Sequence, residues 1–469
     1  MDIRHVVVLM LENRSFDSML GMLYQSGAGF DGLTGNESNI WHKPDGSQQA
    51  IGVWTDPVAA PRALYIPDPD PGELFDDIRT QINGLGAGGS PTPGPPAMSG
   101  FVDNYVRQPA TAADPYPVMH YFRPEQVPVI SELARAFGVC DRWHASAPCQ
   151  TWPNRFFAHT GTANGYVNNS PTHFPYLMET VFNRLRQAGQ SWRIYFHDIP
   201  QAATLARLWG ETVGHFRYFA DFARDAAKGE LPAYSFIEPR YFADRLRNEV
   251  ANDEHPPHNV AYGEALIAAV YNAVRGGPGW RQSLLVIAFD EHGGCFDHVV
   301  PPLAAAPGGP TPDGFDFGRF GVRVPAVIVS PYIRAGSVVR PAGSTPFDHT
   351  SIIATLGKLF GFAPLTARDA GAPDLLAGLE PAPVNDGPGS IVAPAIAPAP
   401  EQVARAAAKP PNDLQRSLST AALLLPTLGA DTGAHIARLG AVPDTAPSHA
   451  SVGDAAEAVA AHMKAFLGR

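Results

Sequence analysis

The chain has 469 residues, and 45% of them are hydrophobic, which is enough apolar material for one large α/β unit or for two or three ordinary domains. Its 45 acidic residues outnumber its 34 basic residues and give a net charge of −11, which argues against binding along a nucleic-acid backbone. No apolar stretch approaches the length of a transmembrane helix. We therefore expect a soluble protein with neither a nucleic-acid partner nor a transmembrane segment.

The first predicted element is a strand at residues 5–11, HVVVLML, a short apolar run that is rich in β-branched residues. Arg4 is the only basic residue before it, and no small-residue cleavage site follows it, so the pattern differs from that of a signal peptide. As the sequence stands, we expect a cytoplasmic protein. A leader removed from in front of this sequence would instead indicate an exported protein.

Four further strand-like runs follow the first strand, and helical patterns separate them. They lie at residues 192–196, 233–237, 283–289 and 324–330. Ahead of the run at 283–289, apolar residues recur at helical spacing from Leu266 to Val274, and the pattern stops at Gly276. This alternation predicts crossover connections and a mostly parallel sheet covered by helices. Ligands of such sheets bind beyond the carboxyl ends of the strands.

Two of the predicted strands end in polar clusters. Glu12 and Asn13 follow the first strand, and Asp290 and Glu291 follow the strand at 283–289. Three carboxylates and an amide oxygen are hard ligands that repel one another unless a cation lies between them, so they predict one divalent metal ion. One such acid alone more commonly caps a helix or a turn, and it is the repetition that favours the metal.

The stretch CQTWPNRFFAHTGT, residues 149–162, predicts a short helix that begins with Thr151 as its N-cap and ends at Gly161. The positive end of a helix favours a phosphate, and a hydroxyl beside a metal there can act as a nucleophile. Asn154 lies one turn further on and is a candidate donor to a phosphoryl oxygen. Plain helix capping by Thr151 is the alternative interpretation.

Histidines supply the candidate proton donors. The loop NDEHPPHNV, residues 252–260, contains His255, and Asp253 is near enough in sequence to orient it. This pattern predicts a proton donor to a leaving group. His197 directly follows the strand at 192–196 and is a candidate for substrate contact.

The composition changes near residue 395. Residues 1–395 contain both acidic strand ends and form the expected catalytic domain. Residues 396–469 begin with an Ala/Pro-rich strap and continue with helical patterns near 412–424 and 453–467, which we expect to pack on the catalytic domain. The three cysteines match neither a disulfide framework nor a zinc site.

Seven ordered blocks of the sequence resemble one known family. They are VVLMLENRSFDSMLG, TWPNRFFAHTGT, SFIEPRY, NDEHPPHNV, DEHGGCFDHVVPP, VRVPAVIVSPYI and FDHTSIIATL. Together they are similar to the bacterial phosphoesterase family of phosphatidylcholine-hydrolysing phospholipases C and acid phosphatases. The resemblance implies an alkaline-phosphatase-like α/β fold, with a mostly parallel central sheet sandwiched between helices.

The same resemblance implies roles for individual residues. It implies that one metal ion is surrounded by Glu12, Asn13, Thr151, Asp290 and Glu291. It further implies that Thr151 is the nucleophile and that Asn154 and His255 contact the phosphoryl group. The chain departs from the family in the block PDPDPGELF, where the family often has a histidine and this sequence has Glu73. Glu73 is therefore a candidate substrate-binding residue, and it carries a negative charge where the family often has a histidine.

The sequence as a whole predicts metal-dependent hydrolysis of phosphate esters, of the phospholipase C or acid phosphatase type, through a phosphothreonine intermediate. The metal could be Ca, Zn, Mn or Mg, and a phospholipid headgroup is one candidate substrate. One alternative is a sulfatase-like hydrolase, but its formylglycine would require a cysteine or serine in place of Thr151. A second alternative is a cation-binding or lipid-binding module without catalytic activity.

Overall fold

A computed structural model describes residues 1–86, 90–109, 114–439 and 449–469. The strands are β1 (His5–Leu11), β2 (Ser38–His42), β3 (Gln48–Gly52), β4 (Gly138–Val139), β5 (Trp192–Phe196), β6 (Phe216–Tyr218), β7 (Tyr234–Glu238), β8 (Ser283–Phe289), β9 (Ala326–Val329) and β10 (Ser337–Val338). Eight of them form one sheet in the order β10-β4-β9-β8-β1-β7-β5-β6, and β2 pairs with β3 in a separate hairpin. Within the large sheet, only β9 runs antiparallel to its neighbours β4 and β8. The predicted α/β class with a mostly parallel sheet is confirmed.

Helices cover this sheet. They are α1 (Phe16–Leu20), α2 (Phe75–Asn83), α3 (Phe101–Tyr105), α4 (Pro128–Ala136), α5 (Thr151–Thr160), α6 (Val181–Gln187), α7 (Thr212–His215), α8 (Ala220–Lys228), α9 (Val260–Gly276), α10 (Thr350–Phe360), α11 (Ala367–Ala370), α12 (Pro400–Ala408), α13 (Asp413–Leu424), α14 (Thr432–Leu439) and α15 (Val452–Leu467). The long helix α9 packs against β1 and β8, and α5 packs against α6 and α10. Among the described residues, no helix combines the length and the apolar character needed to cross a membrane.

The two central strands explain why the sheet forms where the sequence predicts it. In β1 every residue after His5 is buried, and β8 is buried along its whole length. Strands that are covered on both faces read as continuous apolar runs, and this is the pattern of both segments. All five predicted strands are present in the sheet, with ends that differ by at most two residues. The sequence prediction missed β4, β6 and β10, which have only two or three residues each.

The C-terminal helices pack into the same hydrophobic core as the sheet. That core includes Ala407, Leu414 and Leu418 together with residues of β1 and β8. Helices α13 and α15 also pack on each other, and the helical patterns near 412–424 and 453–467 are confirmed. The division of the chain at residue 395 remains a prediction.

Candidate active site

The ends of β1 and β8 form the floor of the candidate site. The two strands are parallel neighbours in which Leu11 pairs with Phe289, so the residues that follow them emerge side by side. The backbone N–H of Asn13 donates to Oδ1 of Asp290 at 3.1 Å, and the N–H of Glu291 donates to the same oxygen at 2.7 Å. The structure therefore brings the two acidic strand ends together at one edge of the sheet, as the sequence predicts.

A close approach of two backbones holds this arrangement. Asn13 has φ of 57°, a left-handed conformation that asparagine tolerates better than most residues do. Gly293 has φ of 58°, and a Cβ placed there would lie 2.1 Å from the carbonyl oxygen of Asn13. Because no side chain fits in that space, glycine is required next to the acidic pair.

Thr151 lies above this floor at the start of α5. Its Oγ1 is 3.0 Å from Oε2 of Glu12 and 3.3 Å from Oδ1 of Asn13, and all three side chains are buried. Thr151 is the first helical residue, whereas Gln150 occupies the N-cap position and makes no side-chain capping bond. The predicted N-cap role of Thr151 is therefore wrong, because its hydroxyl points to the strand ends instead of to its own helix.

Arg155 is the principal residue of the candidate site that sequence reasoning missed. It is fully buried, and it pairs with Glu12 at 2.5 Å, Asp290 at 3.3 Å and Glu238 at 3.5 Å. Burial lowers the pKa of the guanidinium, but the negative charges of these carboxylates outweigh that effect and raise the pKa well above its usual value. A signal existed in the sequence, since Arg155 lies four residues after Thr151 and so faces the same side of the helix.

A second group of polar side chains borders the site. Nδ2 of Asn13 donates to Oε1 of Glu73 at 2.6 Å, and this oxygen also lies 3.5 Å from Nε2 of His255. Asp70 Oδ1 lies 3.7 Å from the other ring nitrogen of His255. Burial lowers the pKa of His255, but Glu73 and Asp70 outweigh it and raise that pKa well above the usual value. Sequence reasoning missed Asp70, although it stands in the same acid-rich block as Glu73.

The ring of His255 is oriented differently from the prediction. Its Nδ1 lies 2.6 Å from the carbonyl oxygen of Pro256. Asp253 accepts from the backbone N–H of His255 at 3.2 Å and lies 2.7 Å from Nδ1 of His258. Asp253 therefore fixes the loop and the neighbouring ring, while Glu73 and Asp70 face the imidazole of His255.

Asn154 has hydrogen-bond partners that differ from the phosphoryl group predicted for it. Nδ2 of Asn154 donates to the carbonyl oxygens of Ala147, Cys149 and Gln150, and its Oδ1 accepts from the N–H of Ala147. These bonds fix the loop that leads to Thr151 and occupy the donor that was expected to reach a phosphoryl oxygen.

His197 lies at a different cavity. Its Nδ1 is 3.1 Å from the carbonyl oxygen of Glu238, and its ring stacks on Phe219. It lines a cavity of about 710 Å³ whose lining residues include none of the acidic strand ends. The contacts of His197 thus provide no support for the predicted substrate contact.

The donor set at the strand ends fits a divalent cation. Glu291 is fully buried, and its Oε2 accepts from the N–H of Gly293, whereas its Oε1 has no hydrogen-bond partner. Burial raises the pKa of Glu12 and of Glu291, with the neighbouring carboxylates adding to the effect. A buried acceptor without a donor, surrounded by further oxygen ligands, is costly unless a cation is present. Glu12, Asn13, Asp290 and Glu291 are therefore the side chains that could hold one.

Two further groups of acids and histidines are close enough to hold an ion. One is Asp70, Glu73 and His255, which adjoins the strand ends. The other is Asp17, Asp297 and His298, and there Arg323 already pairs with both aspartates. The second group is consequently a neutralised ion-pair network.

Comparison with known proteins agrees with the geometry. The model of the family described as "Phosphoesterase family" matches residues 3–363. Non-specific phospholipase C1 of Arabidopsis thaliana is 41% identical over 389 residues, which cover 79% of this chain and 69% of that protein. Non-specific phospholipase C6 of the same plant is 40% identical, with coverage of 79% and 71%. Phospholipase C A of Mycobacterium tuberculosis is 28% identical over 414 residues, with coverage of 77% and 73%.

Similarity to solved structures is weaker. A protein of the alkaline phosphatase superfamily from Vibrio parahaemolyticus is 12% identical and aligns with a TM-score of 0.32, covering 52% of this chain and 64% of that one.

The fold and the site define an enzyme of the α/β class with a buried hydroxyl set among carboxylates at the carboxyl edge of a mostly parallel sheet. The chain belongs to the phosphoesterase family, and its activity is the hydrolysis of phosphoric esters.

Proposed function

We propose that this phosphoesterase cleaves phosphodiesters of the phospholipase C type, with a divalent metal and with Thr151 as the covalent nucleophile. The observation that carries the proposal is the position of the Thr151 hydroxyl, 3.0 Å from Glu12 and 3.3 Å from Asn13 at the first residue of α5. The N-terminus of a helix favours the negative charge of a phosphate that approaches this hydroxyl.

In the first half of the reaction, Oγ1 of Thr151 bonds to phosphorus and the bond from phosphorus to the alcohol oxygen breaks. Oε2 of Glu12 is the acceptor in place for the hydroxyl proton. His255 donates its proton to the departing alkoxide, and its raised pKa keeps that proton available.

In the second half, water attacks the phosphothreonine and releases the phosphorylated product. His255 takes the proton of the attacking water, and Thr151 recovers its proton from Glu12. Both residues thus return to their starting protonation states, and the double displacement balances.

The surrounding residues mainly balance the negative charges of the carboxylates and the phosphate. Arg155 balances the negative charges of Glu12 and Asp290 through ion pairs. A divalent metal held by Glu12, Asn13, Thr151, Asp290 and Glu291 would supply the positive charge that a phosphate needs among so many carboxylates. Glu73 holds Asn13 and faces His255, so we assign it a positioning role. Asn154 has a similar role, because it fixes the loop before Thr151.

The relatives named phospholipase C favour a phospholipid as the substrate. Turnover of p-nitrophenyl phosphate, bis-p-nitrophenyl phosphate and p-nitrophenylphosphorylcholine separates a preference for monoesters from one for diesters. We expect the two diesters to be the better substrates.

The nucleophile is tested with Thr151→Ala and Thr151→Ser. Loss of a nucleophile should lower turnover by several orders of magnitude, whereas serine should retain much of the rate. Thr160→Ala is the matched control, since Thr160 lies in the same helix and its hydroxyl bonds only to backbone carbonyls. Mass spectrometry of acid-quenched wild type should find phosphate or phosphodiester on Thr151. Near-normal turnover by Thr151→Ala, or a covalent adduct on another residue, would refute the assignment.

A further inference from the structure

Arg14 directly follows Asn13 after the end of β1, and its side chain is fully buried. Its Nε donates to the carbonyl oxygen of Glu254 at 2.7 Å, and its Nη1 donates to the carbonyl oxygen of Ile66 at 2.5 Å. The guanidinium also lies over the ring of Phe122, 5.6 Å from the ring centroid. One side chain therefore joins the end of β1 to two segments that are distant in the sequence.

Each of these two segments carries groups that border the candidate active site. Glu254 directly precedes His255, the proposed proton donor. The other segment, residues 66–73, contains Asp70 and Glu73, the two carboxylates that face the imidazole of His255. Because the guanidinium bonds to the backbone of both segments, it acts on the imidazole and on its two acidic neighbours through their main chain.

The peptide group between Glu254 and His255 is held at both ends. Its carbonyl oxygen accepts from Arg14, and its N–H donates to Oδ1 of Asp253 at 3.2 Å. The preceding carbonyl oxygen, that of Asp253, accepts the backbone N–H of Glu12 at 2.8 Å. Glu254 has φ of 72°, a left-handed conformation that persists in a glutamate only where the surrounding contacts hold it. These contacts fix the direction in which the side chain of His255 leaves the loop.

We propose that Arg14 is a positioning residue that fixes the proton donor His255 relative to the nucleophile. Oδ1 of Asn13 lies 3.3 Å from Oγ1 of Thr151, so the same stretch of chain contacts the nucleophile and holds the loop of the proton donor. The proposal rests on the function proposed above, in which His255 protonates the departing alkoxide. Loss of Arg14 should therefore impair departure of the alcohol more than attack on phosphorus.

The test compares two esters that transfer the same phosphocholine group and differ only in the alcohol. The p-nitrophenolate of p-nitrophenylphosphorylcholine leaves readily without a proton, whereas the diacylglycerol alkoxide of dihexanoylphosphatidylcholine needs one. Arg14→Lys keeps the positive charge but loses the planar fork that bonds to two carbonyl oxygens at once. We expect this variant to lower kcat for the lipid ester at least about tenfold and kcat for the p-nitrophenyl ester less than about twofold.

Arg323→Lys is the matched control, since Arg323 is also fully buried and donates to the carbonyl oxygens of Asp31 and Asp141. It should lower stability and leave the ratio of the two kcat values unchanged. Asp253→Ala removes the other bond to the same peptide group, so it should reproduce the effect of Arg14→Lys. It also decides the question if Arg14→Lys does not fold. An equal loss on both esters, or no loss on the lipid ester, would overturn the proposal.

Amide hydrogen exchange separates this inference from the proposed function. Exchange followed by mass spectrometry should be at least about tenfold faster in Arg14→Lys than in wild type for peptides that cover residues 66–73 and 252–260. Arg323→Lys should leave exchange in both peptides unchanged. If wild type hydrolyses neither ester, the proposed function fails, and the exchange experiment alone decides whether Arg14 fixes the loop of His255. Unchanged exchange in both peptides of Arg14→Lys would overturn the inference.

Discussion

Asp290 contacts both the backbone of the neighbouring strand end and a buried cationic side chain. Its Oδ1 accepts the backbone N–H groups of Asn13 and Glu291, and its Oδ2 pairs with Arg155. The neutral oxygen of an asparagine could accept the same backbone bonds, but it carries no charge. Substitution at this position can therefore separate the structural contribution from the proposed binding of a cation.

We expect Asp290→Asn to keep the fold and to lose the metal. The variant should bind a divalent cation at least about tenfold more weakly, because a charged ligand is removed from a cluster that needs a cation. Metal content after dialysis, measured by inductively coupled plasma mass spectrometry, gives the result, and thermal unfolding checks the fold. Asp316→Asn is the control, since Asp316 is exposed in a loop and accepts only the N–H of Gly318. Full metal content and full turnover in Asp290→Asn would show that the assigned ligand set is incorrect.

Local patterns predicted that the two acidic strand ends lie together, but they did not predict the direction of individual side chains. The acidic strand ends could be found because an apolar run followed by acids is visible within a few residues. Arg155 was missed because its partner Glu238 is 83 positions away. Asn154 was assigned to the phosphoryl group because sequence cannot show that its amide turns toward the preceding loop.

At the scale of elements, the turn after β8 decides how close the two strand ends lie. Gly293 is packed against the backbone of Asn13, and it has a positive φ. Gly308 also has a positive φ, of 80°, but open space surrounds the position of its missing Cβ. The two glycines therefore share the backbone requirement, but only Gly293 is buried and would bring a Cβ into collision with a neighbouring backbone.

Gly293→Ala should separate the strand ends and lower both metal content and turnover. Gly308→Ala should cost only the strain of a positive φ, about 1 to 2 kcal/mol, and leave the site intact. Urea unfolding, metal content and turnover of an activated phosphodiester measure the difference. Equal effects of the two substitutions on metal content would mean that the contact with Asn13 does not set the site.

The loop that follows this turn is fixed by an ion-pair network. His298 lies 2.7 Å from Asp17 at the start of α1 and 3.2 Å from Asp31. Burial lowers the pKa of His298, but the two aspartates outweigh it and raise that pKa to about 10. Since an unperturbed histidine has a pKa of about 6.5, the folded protein holds this proton more tightly than the unfolded chain does.

Stability from His298 should be complete below about pH 6.5 and should be lost as the pH rises toward 10. His298→Gln should consequently lower the free energy of unfolding more at about pH 6 than at about pH 9.5. Urea denaturation at both pH values measures this, and Asp31→Asn, which removes one partner, should weaken the same pH dependence. A loss that is equal at both pH values would contradict the prediction.

At the scale of the whole molecule, the C-terminal helices and the sheet share one core. Leu418 of α13 is fully buried in the same hydrophobic cluster as residues of β1 and β8. Residues in one continuous core are expected to lose their structure together. All seven tryptophans lie before residue 396, and of these Trp209 also packs against His435 of α14, so tryptophan fluorescence reports mainly on residues 1–395.

Leu418→Ala should therefore shift an unfolding transition that is observed only through tryptophans that precede residue 396 in the sequence. Truncation of a buried leucine costs about 2 to 5 kcal/mol, and a shared core passes that loss to the whole chain. Urea unfolding followed by tryptophan fluorescence and by far-ultraviolet circular dichroism should give coincident transitions, both moved to lower urea. Leu246→Ala is the control, because Leu246 is 89% exposed and should shift neither signal. If Leu418→Ala moved the dichroism transition and left the fluorescence transition in place, the C-terminal helices would be a separate folding unit.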